Sequence, residues 1–253
     1  MQARTVEVFF DVVSPYAYLG LEIVRRYAGA WALNVAYTPF FLGGAIMATK
    51  NTPPANVPTK AKYMEIDVRR SGDIMGMPVI MPDNFREVMF GTLKAQRVLT
   101  ALAALESGGV EKETGLARVV VPAEEAQAGQ SQPQVVSAAL AMYKRTFGGE
   151  GKEMISDEGL RAALIEGGVD DPDRIEALLV ATGESGIKDA LAANTQRVVD
   201  AGSFGGPTFL IHNSDDSDAT PELIFGSDRF HHMAHLLGGG RVYSGPGGPG
   251  PQA

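Results

Sequence analysis

The chain has no cysteine among its 253 residues. That absence excludes a disulfide framework, a thiolate nucleophile, cysteine-ligated zinc and cysteine-ligated iron–sulfur clusters. It says nothing about redox compartment, but it removes whole classes of chemistry. Positive charge is also short: 22 Lys and Arg face 30 Asp and Glu, a net charge of −8. No broad basic footprint for nucleic acid or an anionic membrane is expected. No stretch approaches the roughly 20 apolar residues of a membrane-spanning helix. Met1 to Thr5 runs straight into Val6-Glu7-Val8-Phe9-Phe10 with no basic segment before a long apolar one, so no secretory signal peptide is expected. The C-terminus lacks a peroxisomal Ser-Lys-Leu signal. The default setting is intracellular, the cytoplasm first, with mitochondrion and peroxisome left open. What remains is the composition of an ordinary globular protein, 45% hydrophobic and 21% charged. Its length suits one domain with a large insertion, or two domains in one chain.

Val6 to Phe10 is β-branched and aromatic, a buried strand. Ser14-Pro15 is a helix start: Ser14 suits the N-cap, and proline suits the first helical position, where its missing N–H costs nothing. Leu19, Ile23 and Tyr27 follow on one helix face. Leu33 to Phe41 reads as a second strand, which makes a parallel, right-handed strand–helix–strand unit. Residues 43–84, rich in proline, read as loop. Helical spacing begins near Arg86 and breaks at Gly108-Gly109. Residues 123–133 read as a polar surface loop, and helices are expected over 134–147, 157–166, 172–182 and 185–201. Thr208 to Ile211 and Glu222 to Phe225 read as an antiparallel hairpin, and a last helix is expected from Gly226-Ser227-Asp228 to Leu237. The order βαβ, helices, ββα is that of an α/β thioredoxin-like domain with an all-helical domain inserted. The expected division is 1–42 with 203–238 for the thioredoxin-like part, 43–202 for the insertion, and 239–253 as a flexible Gly/Pro-rich tail.

Three segments carry the candidate chemistry. Ser14-Pro15-Tyr16-Ala17 stands where a thioredoxin fold places its Cys-x-x-Cys pair. A hydroxyl cannot cycle to a disulfide. It can donate a hydrogen bond to a sulfur from elsewhere, and the helix N-terminus favours an anion. Both would lower the pKa of a bound thiol. Read alone, Ser14 is simply a helix cap. Gly205-Gly206-Pro207 precedes a strand at the position of that fold's cis-proline, where the Gly206 backbone can pair with an extended ligand. Gly226-Ser227-Asp228-Arg229 offers N–H groups and a hydroxyl for a carboxylate, Asp228 for an ammonium, and Arg229 for a second carboxylate. Read alone, that is a cap beside a surface charge pair. His231 and His235 stand four residues apart, but no third ligand accompanies them, so no metal site is expected there. The acidic run Asp215-Asp216-Ser217-Asp218 lacks the full calcium-loop pattern and reads as a solvated turn.

Phe10-Asp11-Val12-Val13-Ser14-Pro15-Tyr16-Ala17-Tyr18-Leu19-Gly20 resembles the opening of kappa-class glutathione transferases. Asn51-Thr52-Pro53-Pro54, Pro58-Thr59-Lys60, Phe204-Gly205-Gly206-Pro207 and Phe225-Gly226-Ser227-Asp228-Arg229 resemble that family's later motifs, in order. The resemblance implies that Ser14 activates the glutathione thiolate, that Gly206 and Pro207 pair with the cysteinyl unit, that Asn51 and Lys60 lie near the glycyl carboxylate, and that Ser227 and Asp228 hold the γ-glutamyl end, with Arg229 nearby or serving the other subunit. Tyr16 and Tyr18 become walls of the second-substrate pocket. Gly206 stands where the family often has a larger apolar residue. The implied activity is transfer of glutathione to a small hydrophobic electrophile, by a homodimer with no metal, no nucleic acid and no membrane partner. Glutathione-dependent 2-hydroxychromene-2-carboxylate isomerases share the opening and the cis-proline, so reversible thiolate addition stands as the alternative. A non-catalytic glutathione or ligand carrier is the further alternative.

Overall fold

The centre of the molecule is a strand buried on both faces. In the computed structural model, which describes residues 3–128, 132–149, 154–212 and 219–249, β1 (Arg4–Phe10) alternates its side chains between two cores. Val6, Val8 and Phe10 face the larger core, while Phe9 belongs to a smaller one with Phe40, Ala45, Val198 and Leu210. This two-residue period is what a central strand between helical layers requires. Glu7 is fully buried on β1. Its carboxylate lies 2.8 Å from Arg197 Nη2, 3.1 Å from Arg118 Nη1 and 3.3 Å from His212 Nε2. Burial alone would raise its pKa; bonds from His212 and Arg197 and the arginine charges outweigh it and hold the group down at about 2.

The helix α1 (Pro15–Ala28) starts at the Ser14 N-cap with Pro15 in its first turn, and β2 (Leu33–Pro39) returns parallel to β1. The helices α2 (Leu42–Thr49), α3 (Pro58–Met75) and α4 (Phe85–Glu106) follow. Next come the short strand β3 (Val119–Val121), antiparallel to β2, and α5 (Ala123–Gln127). The helices α6 (Gln134–Phe147), α7 (Asp157–Glu166), α8 (Pro172–Ala181) and α9 (Ser185–Asp200) then lead to the hairpin β4 (Thr208–His212) and β5 (Glu222–Phe225), and α10 (Phe230–Leu237) closes the order. The sheet runs β3-β2-β1-β4-β5, with β4 antiparallel to β1 and β5 antiparallel to β4. The protein is an α/β thioredoxin fold with a helical insertion between β2 and β4.

Four sequence expectations need correction. Residues 43–84 are not loop: α2 and α3 occupy most of the segment. Pro58 fills the first turn of α3 instead of breaking it, and Met64, Val68, Gly72 and Met75 form its narrow buried stripe. The insertion is not all-helical, since it supplies the edge strand β3. The expected loop over 123–133 begins with α5, whose first residue Ala123 is buried. The tail expected to be flexible over 239–253 is docked as far as its described residues go. The Trp31 indole donates to Val242 O at 3.2 Å, Tyr27 Oη donates to Gly245 O at 2.7 Å, and Arg26 Nη1 donates to Pro246 O at 3.1 Å. Tyr243 packs among Tyr27, Trp31 and Phe230. The acidic run over 215–218 lies outside the described residues. The helix α4 is long and apolar enough to cross a membrane by length and composition, but 61% of its apolar window is buried inside the protein.

Candidate active site

Strand register brings four separate segments to one edge of the sheet. Phe10 pairs with Pro39, so the chain after β1 meets the chain after β2. Phe9 pairs with Thr208, and Thr208 with Phe225, so the turn before β4 and the turn after β5 arrive at the same edge. Phe40 N donates to Phe10 O at 3.1 Å, and Gly226 N donates to Pro207 O at 3.0 Å. From behind, the buried Gln96 amide of α4 donates to Phe10 O at 2.9 Å and Phe40 O at 2.6 Å.

Ser14 sits at this edge, 6% exposed. Its Oγ accepts from Ala17 N at 3.1 Å and so caps α1. Among the described residues its own hydroxyl proton has no recorded acceptor. Asp11 lies three residues earlier, fully buried. One carboxyl oxygen accepts from Val13 N at 3.0 Å and the other from Leu42 N at 2.8 Å, tying together the segments after β1 and β2. Burial pushes its pKa up to about 7 against the lowering effect of the two N–H donors. The Gly206–Pro207 peptide is cis. A Cβ on Gly206 would stand 3.0 Å from the Phe40 ring, which accounts for glycine where the resembled family carries a larger residue. The Pro207 ring packs behind the edge, where a Cβ on Gly20 of α1 would stand 2.9 Å from Pro207 Cγ.

Two adjoining cavities open here. A slot of about 140 Å³ is lined by Asp11, Ser14, Asn51, Thr92 and Gly206 among mostly apolar side chains. A wider depression of about 540 Å³ is lined by Gly206, Ser227, Asp228, Tyr243 and Pro246 among others. Tyr16, Pro54, Gly206 and Phe225 border both. Tyr16 is fixed between them, its hydroxyl donating to Asp67 Oδ2 of α3 at 2.8 Å. Burial and then this carboxylate push its phenol well above the ordinary range, so it stays protonated.

The expected site residues divide accordingly. Ser14, Asn51, Gly206, Ser227, Asp228 and Tyr16 converge on the two cavities. Asn51 spends its amide on Phe204 O at 2.8 Å, so it also holds the turn before Pro207. Tyr18 does not converge. It is 8% exposed, and its ring stacks on Tyr143 with centroids 4.9 Å apart. As a second-substrate wall it is therefore corrected to a core residue, because α1 turns it about 200° from Tyr16. It borders a separate polar depression with Glu22, Arg25 and Glu166. Lys60 is exposed in the first turn of α3, outside both linings. Arg229 pairs with Asp228 at the rim and is likewise outside both. The last helix starts at Phe230, leaving Ser227 and Asp228 in the preceding turn. His231, His232 and His235 are exposed on that helix. Sequence reasoning overlooked Asp11 and Thr92. A carboxylate directly after an apolar strand was a visible signal for Asp11. Nothing local separates Thr92 from other helical threonines.

The fold and site define a thioredoxin-fold protein with a serine at the redox-cysteine position, and residues 5–120 match the DSBA-like thioredoxin domain family. Over nearly its whole length the chain is similar to kappa-class glutathione transferases. It is 29% identical to glutathione S-transferase kappa 1 of Homo sapiens over 237 residues, 93% of this chain and 91% of that protein. It is 29% identical to 2-hydroxychromene-2-carboxylate isomerase of Pseudomonas putida over 82 residues, 32% of this chain and 40% of that protein. A solved 2-hydroxychromene-2-carboxylate isomerase superposes with TM-score 0.64 at 17% identity, covering 92% of this chain and 94% of its own.

Proposed function

We propose that this chain is a glutathione-dependent transferase that lowers the pKa of the bound thiol with Ser14 and conjugates the thiolate to a small hydrophobic electrophile. The observation that carries this reading is Ser14 at the cavity wall with, among the described residues, no acceptor for its hydroxyl. Its oxygen is fixed by Ala17 N, so the remaining donor can be spent on a sulfur anion at the start of α1. A hydrogen bond to a charged acceptor and the helix terminus together are worth ~2 kcal/mol, or more than one pKa unit at about 1.4 kcal/mol each. The peptide would lie along the edge, its cysteinyl unit against the Gly206 backbone and its γ-glutamyl end in the wider depression with Ser227 and Asp228. Asn51 would border the sulfur end, while Lys60 and Arg229 act from the rim on the carboxylates. A homodimer belongs to this reading, through the kappa-class likeness. Ultraviolet titration of bound glutathione tests it. Ser14→Ala is expected to raise the thiol pKa by about one unit or more, and an unchanged pKa removes Ser14 from the role.

Reversible addition of the kind an isomerase performs uses the same activation step, and the local isomerase likeness favours it as the second reading. The kappa-class likeness spans nearly the whole chain, so transfer leads. Mass spectrometry of products separates the two: adducts mean transfer, mass-neutral conversion means isomerisation. Glutathione binding without any conversion means a carrier.

A further inference from the structure

The slot beside Ser14 is apolar except for a few oxygens, and one of them is unspent. Thr92 of α4 lines the slot and is 1% exposed, yet its hydroxyl has no hydrogen-bond partner among the described residues. A helical threonine has an easy partner in the carbonyl one turn back. The other buried helical threonines use it: Thr100 donates to Gln96 O at 2.7 Å and Thr146 to Met142 O at 3.0 Å. Partly buried Thr49 and Thr195 do the same, to Ala45 O at 2.8 Å and Leu191 O at 2.7 Å. Thr92 departs from this habit at the cavity wall. Leaving a buried hydroxyl unsatisfied is costly, so a ligand oxygen arriving there recovers that penalty.

The rest of the wall restricts what the ligand can be. Phe41, Leu42, Ile46, Met64, Met89 and Phe225 surround the slot with apolar surface. Among the described residues no Lys or Arg lines it, so a free carboxylate or phosphate finds no counter-charge. A neutral, flat electrophile with an oxygen conjugated to the reacting carbon fits these constraints.

We propose that Thr92 is a specificity-determining residue of the electrophile slot, donating its hydroxyl to an oxygen that gains negative charge as the thiolate adds. This rests on the transferase reading and names the acceptor class for it. With a chloronitroarene, the sulfur–carbon bond forms while ring electrons move onto the nitro oxygens. The carbon–chlorine bond then breaks, chloride takes the pair, and the thiol proton passes to solvent. A benzylic halide develops no such oxygen charge and should not sense Thr92.

The test uses the glutathione conjugates themselves, whose binding needs no turnover. Calorimetric affinities of glutathione, S-(2,4-dinitrophenyl)glutathione and S-benzylglutathione are compared for the wild type, Thr92→Val and Thr92→Ser. Valine keeps the shape, and removing an unpaired buried hydroxyl should not lower thermal stability. The expected result is a ~10-fold loss for the dinitrophenyl conjugate in Thr92→Val, the size of one hydrogen bond to a polarised oxygen. Binding of glutathione and the benzyl conjugate stays unchanged, and serine restores the loss. Equal loss for both conjugates, no loss for either, or a wild type that binds glutathione but neither conjugate would overturn the assignment of Thr92 alone. A wild type that binds none of the three overturns the glutathione reading itself.

Discussion

Ser14 does two things with one oxygen. It accepts from the backbone of the first helical turn, and in the proposed reading it gives its proton to a bound sulfur, so capping and activation would reinforce each other. Asp11 is the second residue whose chemistry comes from its surroundings. Its carboxyl is shifted from 3.8 to about 7 by burial, against two backbone donors that favour the anion. Between those values the unfolded chain ionises Asp11 while the native state keeps the proton. Native stability therefore falls as pH rises through this window, by about 4 kcal/mol once pH passes 7. Asp11→Asn removes this dependence but leaves the Val13 or Leu42 N–H without an acceptor at every pH. Urea unfolding at pH 5 and pH 8 should show the wild type losing more stability than Asp11→Asn over that interval. Parallel slopes would mean that Asp11 is ionised in the native state. Glu7 shows the opposite outcome of equal burial. Two arginines and a histidine outweigh desolvation and hold it at about 2, and it lines neither cavity.

At the scale of elements, the site depends on how closely α1 approaches the turn before β4. Gly20 makes that contact, with no room for a Cβ between the helix and the Pro207 and Phe209 rings. In an exposed helix Gly→Ala stabilises by about 1 kcal/mol. Here the new methyl would meet Pro207 Cγ at 2.9 Å and Phe209 Cζ at 3.0 Å, and a proline ring cannot turn aside. Gly20→Ala is expected to destabilise by about 1–3 kcal/mol instead, with a raised KM for glutathione because Gly206 moves with its neighbour. Thermal denaturation with glutathione kinetics checks both, and a stabilised variant would show that helix and turn are not in contact. The same close packing explains why the turn needs glycine at 206, where Phe40 presses from the segment just after β2.

For the whole molecule, the segment after α10 is part of the structure. Residues 242–246 cross α1, satisfy the Trp31 indole and the Tyr27 hydroxyl, and place Tyr243 and Pro246 in the wall of the wider depression. Tyr27 is fully buried beneath them. Tyr243→Ala should lower stability by about 2 kcal/mol, from lost aromatic pairing and burial, and weaken glutathione binding. Calorimetric melting and a glutathione titration measure this, and unchanged values in both would return the segment to the status of a loose tail.

Much of the fold was legible in the sequence, because its signals are local. The β-branched run of β1, the Ser14-Pro15 helix start, the hairpin of β4 and β5 and the helices α6 to α9 announce themselves by periodicity and caps. The candidate residues Ser14, Asn51, Gly206, Ser227 and Asp228 were legible through motif order, and the structure gathers them on one edge. What misled was also local: prolines and glycines over 43–84 and 239–253 read as breakers, yet α3 begins on a proline and the tail packs through tertiary contacts. Tertiary structure alone decided that Tyr18 faces Tyr143 and not a ligand, that burial pushes the Asp11 pKa up, and that among the described residues Thr92 has no partner at a cavity wall. Each of these depends on desolvation and on neighbours distant in the chain, and no spacing of residues along the sequence records either.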